Sequence, residues 1–157
     1  MTYYRWDDRE FETGEDIPRG RFGHILIDHG PVHTLWDREM LLETVRLGGH
    51  RSRPSRLSGL FAFVEIDVAR RHVHAFASRP GIHWLYEVNV SPGARLFRGH
   101  EPNLAAVGKA LRGRDFRGAV TLAGTYWREE SAAPTDELVS SEPLRVIAVV
   151  DRHLVEE

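Results

Sequence analysis

A chain of 157 residues is long enough to bury a single core, and its 41% hydrophobic and 28% charged residues are the balance of one soluble domain, residues 1–157. A net charge of −2 offers no chain-wide attraction for nucleic acid or an anionic bilayer, and no membrane partner is expected. The absence of cysteine excludes disulfides, thiolate metal sites and a cysteine nucleophile.

The start, Met1 to Asp8, has no apolar signal core, and no apolar run reaches the length of a membrane span, so a cytoplasmic location is expected. Tyr3 to Trp6, rich in aromatics, reads as a first strand. Phe11 to Gly23, with Gly14, Pro18 and Gly20, reads as a loop, and Ile25-Leu26-Ile27 as a brief strand ended by Gly30-Pro31. Thr34 reads as the cap of an amphipathic helix from Leu35 to Leu47, with Leu35, Met40, Leu41 and Val45 inward, Asp37, Arg38, Glu39 and Glu43 outward, and Gly48-Gly49 at its end. His50 to Arg56 is a basic loop, and the apolar run Leu57 to Val64 reads equally as a buried strand or a buried helical turn. Asp67 to Ala77 reads as a helix, with Val68, Val73 and Phe76 inward. His83 to Val90 is the clearest strand, and Ala94 to Phe97 a shorter one. Asn103 to Leu111 and Arg117 to Trp127 carry helical periods, the second placing Val120, Ala123 and Trp127 inward. A polar loop, Glu129 to Asp136, leads into the closing segment Glu137 to Val150, broken by Pro143. Strands and helices mixed without regular βαβ alternation predict an α+β fold.

Arg51-Ser52-Arg53-Pro54-Ser55-Arg56-Leu57-Ser58 gathers three guanidiniums and three hydroxyls before an apolar run. Such donors suit a pyrophosphate, and a solvated basic loop has the same composition. Glu137, the last acid before a strand, reads as a carboxylate over a cleft or as a surface residue at a loop edge. Tyr126-Trp127 reads as a pocket wall or as core. His72 and His74 are two apart, and no H-E-x-x-H run occurs, so no metal is expected. No G-x-G-x-x-G and no G-x-x-x-x-G-K is present, which excludes those fingerprints for dinucleotides and triphosphates.

Pro54-Ser55-Arg56-Leu57-Ser58-Gly59-Leu60-Phe61-Ala62 resembles the central motif of an uncharacterised family of small bacterial proteins similar to ADP-ribosyltransferases. The resemblance continues, in order, through Tyr86-Glu87-Val88, Leu96 to His100, Ala123 to Trp127, and Glu137-Leu138. The opening Tyr4-Arg5-Trp6-Asp7-Asp8-Arg9 is similar to that of cholera-toxin-type ADP-ribosyltransferases, and Glu142 to Ile147 to the ending of rifampin ADP-ribosyltransferases. The resemblance implies an ADP-ribosyltransferase-like fold of split mixed β-sheets with flanking helices, and NAD as the substrate. It implies Glu137, Arg5 and Ser58 as catalytic residues, with Tyr4, Ser55, Arg56, Phe61, Tyr126 and Trp127 around NAD. A toxin or delivered effector of this kind would imply an antitoxin or immunity partner, and an NAD glycohydrolase or a non-catalytic nucleotide- or nucleic-acid-binding module are the alternatives. The sequence departs from the toxin type twice. The place of its Ser-Thr-Ser triplet reads Phe61-Ala62-Phe63, and Thr135 stands where arginine-modifying relatives carry a second acid. The acceptor implied is therefore unknown.

Overall fold

The computed structural model describes residues 1–76, 79–133 and 136–156. Ala77, where the helix from Asp67 is expected to end, the side chain of Phe76, and Thr135 lie outside the described residues. The strands are β1 (Tyr3–Asp7), β2 (Asp16–Ile17), β3 (Leu60–Phe63), β4 (Gly81–Val90), β5 (Leu96–Gly99), β6 (Glu137–Ser140) and β7 (Leu144–Val155). The helices are α1 (Arg21–His29), α2 (Trp36–Gly49), α3 (Ile66–Arg71), α4 (Val73–Phe76), α5 (Glu101–Arg112) and α6 (Phe116–Arg128), with a 3-10 turn at Gly30–Val32.

The fold is α+β, and its strands pair antiparallel throughout in one seven-stranded sheet ordered β2-β7-β4-β1-β3-β6-β5. The expected split into two mixed sheets is corrected accordingly. The halves on either side of the β1–β3 junction meet through the pair Tyr4↔Phe63, which makes the sheet continuous. β1, β3 and β6, which are distant in sequence, lie side by side in this order.

Side chains alternate across a strand, so each face of the sheet builds its own core. Tyr3, Leu60, Ala62, Tyr86, Val88, Leu138 and Val146 pack together. On the other face, Phe61, Phe97 and Val139 meet Leu42 of α2, Leu104 and Val107 of α5, and Ala123, Tyr126 and Trp127 of α6. α3 covers Trp6, Phe63 and Leu85 with Val68 and Ala69. Among the described residues no helix is long and apolar enough to cross a membrane.

Several local expectations change. The strand expected at Ile25 to Ile27 is the second half of α1, because Phe22, Gly23 and Leu26 fall on one helical stripe. Gly23 is required there: a β-carbon at that position would run into the Leu57 carbonyl. The ambiguous run Leu57 to Val64 contains β3, and the helix expected from Asp67 is two, broken at His72. In α2 the buried stripe is Glu39, Leu42 and Arg46, with Leu35, Met40, Leu41 and Val45 half-buried on its flanks. In α6 Ala123 and Trp127 face inward as expected, joined by Ala119 and Tyr126, while Val120 is 50% exposed.

Candidate functional site

Arg56 is the centre of a buried polar cluster drawn from four elements. It sits in the loop before β3, 3% exposed, beneath α2 and α6. Its Nε donates to Glu39 Oε2 at 2.7 Å and its Nη2 to Glu39 Oε1 at 3.2 Å, a two-pronged pairing that fixes the guanidinium plane. Its Nη1 donates to the Tyr126 hydroxyl at 2.8 Å and to Glu137 Oε1. The Tyr126 hydroxyl donates in turn to the same Glu137 oxygen at 2.5 Å. The guanidinium lies over the Phe61 ring, 4.7 Å from its centroid. Arg38 reaches Glu39 from the same helix at 2.8 Å.

Two carboxylates around one cation explain how the charges are kept at 3% exposure. Burial works against the Arg56 charge, but the Glu137 and Glu39 carboxylates outweigh it and hold the guanidinium pKa well above its ordinary value. Burial likewise pushes the Glu39 carboxyl up, and Arg56 and Arg38 overcome it and hold the group below the usual carboxylate range. Burial first, and then the Glu137 charge, raises the Tyr126 hydroxyl well above 10, so it stays protonated and remains a donor. Glu137 itself keeps 15% of its side chain exposed, and among the described residues its Oε2 has no hydrogen-bond partner. One oxygen is thus fixed by Arg56 and Tyr126, while the other is left without a hydrogen bond among the described residues.

Backbone packing holds this arrangement in place. Gly99 pairs with Glu137 across β5 and β6, and a β-carbon on Gly99 would run into the Tyr126 hydroxyl and ring. The ring approaches the strand only because that residue is glycine.

A second polar cluster lies at β1. Asp7, its side chain 1% exposed, accepts from Arg5 at 3.2 Å, Arg9 at 2.9 Å and Arg21 at 3.3 Å. Arg21 also binds Asp8, holding that carboxyl down at about 2. Arg5 joins the two clusters. Its Nη1 donates to the Phe61 carbonyl at 2.7 Å, a side-chain tie between β1 and β3. Its Nε is buried and unpartnered among the described residues, and burial lowers its pKa against the pull of Asp7.

The sequence-predicted residues therefore divide. Arg56, Tyr126, Glu137 and Phe61 come together, and Arg5 reaches them through the Phe61 backbone. Tyr4 packs half-buried against the α3 cluster. Ser55 turns away: its hydroxyl donates to Glu43 at 3.0 Å and accepts from the Leu57 N–H at 3.1 Å, shaping the loop. Ser58 is exposed, without a side-chain hydrogen bond among the described residues. Trp127 is fully buried in the helical core, its indole N–H donated to the Leu42 carbonyl at 2.8 Å. Glu39 is the residue that sequence reasoning missed. Its signal was the stripe Glu39, Leu42, Arg46, which puts an acid on the covered side of α2. Two surface grooves, of about 450 and 210 Å³, lie elsewhere, lined by Glu10, Phe11, Glu12 and Glu15 and by Trp6, Arg70, Val73 and Asp151 with its neighbours. Among the described residues no group of three or more side chains is placed to hold a metal ion.

Glu39, Arg56, Tyr126 and Glu137 all lie within one stretch that matches a known family. Residues 25–152 match the family described as "Protein of unknown function (DUF2441)", and the chain belongs to that family. No curated protein matches the chain.

Proposed function

We propose that the chain is an NAD-dependent ADP-ribosyltransferase acting on an acceptor still to be identified, in the manner of a toxin or effector. The observation that supports this most is the adjacency of β1, β3 and β6. Arg5 of β1, the Pro54 to Ser58 loop that leads into β3, and Glu137 of β6 stand far apart in sequence, yet they join in one chain of contacts. Such convergence is what a reaction on a single dinucleotide needs.

Breaking the nicotinamide–ribose bond passes through an oxocarbenium-like state, which a nearby carboxylate stabilises. Glu137 would supply it. With Oε1 held by Arg56 and Tyr126, Oε2 would accept a ribose hydroxyl and face the developing positive charge. Arg5 would hold the diphosphate, with Asp7 orienting its guanidinium. Glu39 would act as a positioning residue, fixing Arg56 and through it Glu137.

A non-catalytic nucleotide-binding module is the second reading, favoured by one observation: both counter-charges of Arg56 and the Tyr126 hydroxyl are already bonded to it, as in a structural cluster. Incubation with adenine-labelled NAD and candidate acceptors separates the readings. Label on a protein, nucleic acid or small molecule supports the transferase, and free ADP-ribose alone supports a glycohydrolase. Saturable NAD binding without product supports the module, and neither binding nor product would refute all three.

A further inference from the structure

The turn between α5 and α6 concentrates unpaired positive charge around exposed apolar side chains. Residues 112 to 117 are all exposed, as is Lys109 one turn before them. Lys109, Arg112, Arg114 and Arg117 make no ion pair among the described residues, so four cations close together in the chain go without a carboxylate partner. The one acid in the turn, Asp115, is spent on the start of α6, where its side chain accepts from the Gly118 N–H at 2.9 Å. Phe116 is 64% exposed and Val120 50% exposed, four residues apart and so on one side of the helix.

We propose that this tip docks the protein on the surface of an anionic lipid bilayer. Phe116 and Val120 enter the headgroup region, and Lys109, Arg112, Arg114 and Arg117 face lipid phosphates. The charge complementarity is local: a net charge of −2 conceals a nine-residue stretch holding four cations and one acid. The shape selects a bilayer over nucleic acid. Single-stranded nucleic acid is held in a basic groove with stacked bases, whereas this is a projecting corner, and Val120 has no ring for a base to stack on. The tip is also remote from the Arg56 cluster, since α6 rises about 15 Å between Phe116 and Tyr126. Substitutions there leave the cluster intact.

Co-sedimentation of the full chain with phosphatidylcholine vesicles, with and without one-third phosphatidylserine, tests the proposal. The protein should pellet with the phosphatidylserine vesicles and stay in solution with the others. Each cation removed should weaken binding about fivefold, so the double charge reversal Arg114→Glu with Arg117→Glu should cost at least about 25-fold. Phe116→Ser should weaken binding at unchanged charge, and thermal melts confirm that the variants fold. Failure to pellet, or equal partition of wild type and the charge-reversed protein, would overturn the proposal. So would binding of a single-stranded oligonucleotide that the charge reversal abolishes while vesicles are ignored.

Discussion

Replacing Glu39 by glutamine removes one of the two charges that balance a buried cation. Glu39 is 1% exposed and bonds Arg56 at 2.7 and 3.2 Å and Arg38 at 2.8 and 3.1 Å. Breaking a buried ion pair from one side costs about 3–5 kcal/mol. Arg56 keeps Glu137 and Tyr126, which puts the expected loss near the lower end, about 3 kcal/mol. Against a total stability of about 5–15 kcal/mol this is a large share. For a chain of this size each kcal/mol moves the midpoint by about 2–4 °C, so the melting temperature should fall by about 6–12 °C. Acid supplies a second readout. The folded carboxyl titrates below its unfolded value of about 4.3, so its stabilisation is complete above that pH and is lost as pH falls through the lower folded pKa. The gap between wild type and Glu39→Gln, read by urea unfolding with far-UV circular dichroism, should therefore be full at neutral pH and close on acidification. A variant within about 0.5 kcal/mol of wild type at pH 7 would refute the reasoning, that being the range of ordinary surface substitutions. A gap that persists unchanged into acid would refute it as well.

Three further changes probe the surroundings. Gly99→Ala pushes a methyl group into the Tyr126 ring and should destabilise by about 1–3 kcal/mol, with a matching loss of any Glu137-dependent activity; a wild-type melt would contradict the close approach. Trp127→Phe deletes the bond to the Leu42 carbonyl and should cost about 1–2 kcal/mol with no change in KM for NAD, whereas a raised KM at unchanged stability would return Trp127 to the pocket. Arg114 occupies a left-handed conformation, φ 59°, that glycine adopts freely, so Arg114→Gly should raise stability by about 0.5–1 kcal/mol by thermal melt; a fall would show that the side chain is held there by contacts of its own.

How much could be read in advance depended on periodicity. β1, β4, α5 and α6 were legible because aromatic and β-branched residues alternate in the strands and apolar residues recur at helical spacing. α1 was misread because Ile25-Leu26-Ile27 is β-branched and short, while the helical stripe it belongs to begins upstream at Phe22. The Arg56–Glu137 pairing had no local signal, since strand adjacency between distant segments leaves no trace in either one. Glu39 was hidden by the rule that acids on a helix face water. That rule fails where a buried guanidinium supplies the counter-charge, and neither partner announces the other in sequence. Ser55 stays open in the sequence for the opposite reason: a hydroxyl two residues before an N–H it can cap is equally a turn former and a ligand donor, and here it forms the turn.

The most direct test of the proposed function is the rate of nicotinamide release from NAD by wild type and by Glu137→Gln. Glutamine can still accept from Arg56 and Tyr126, and Glu39 still balances Arg56, so the protein should fold, destabilised by up to about 3 kcal/mol, while the charge proposed to face the ribose is lost. We predict measurable release by wild type and a drop of about 100-fold or more in the variant, assayed at a temperature where circular dichroism shows both proteins folded. Equal release by the two proteins, or none by wild type, would contradict the role given to Glu137.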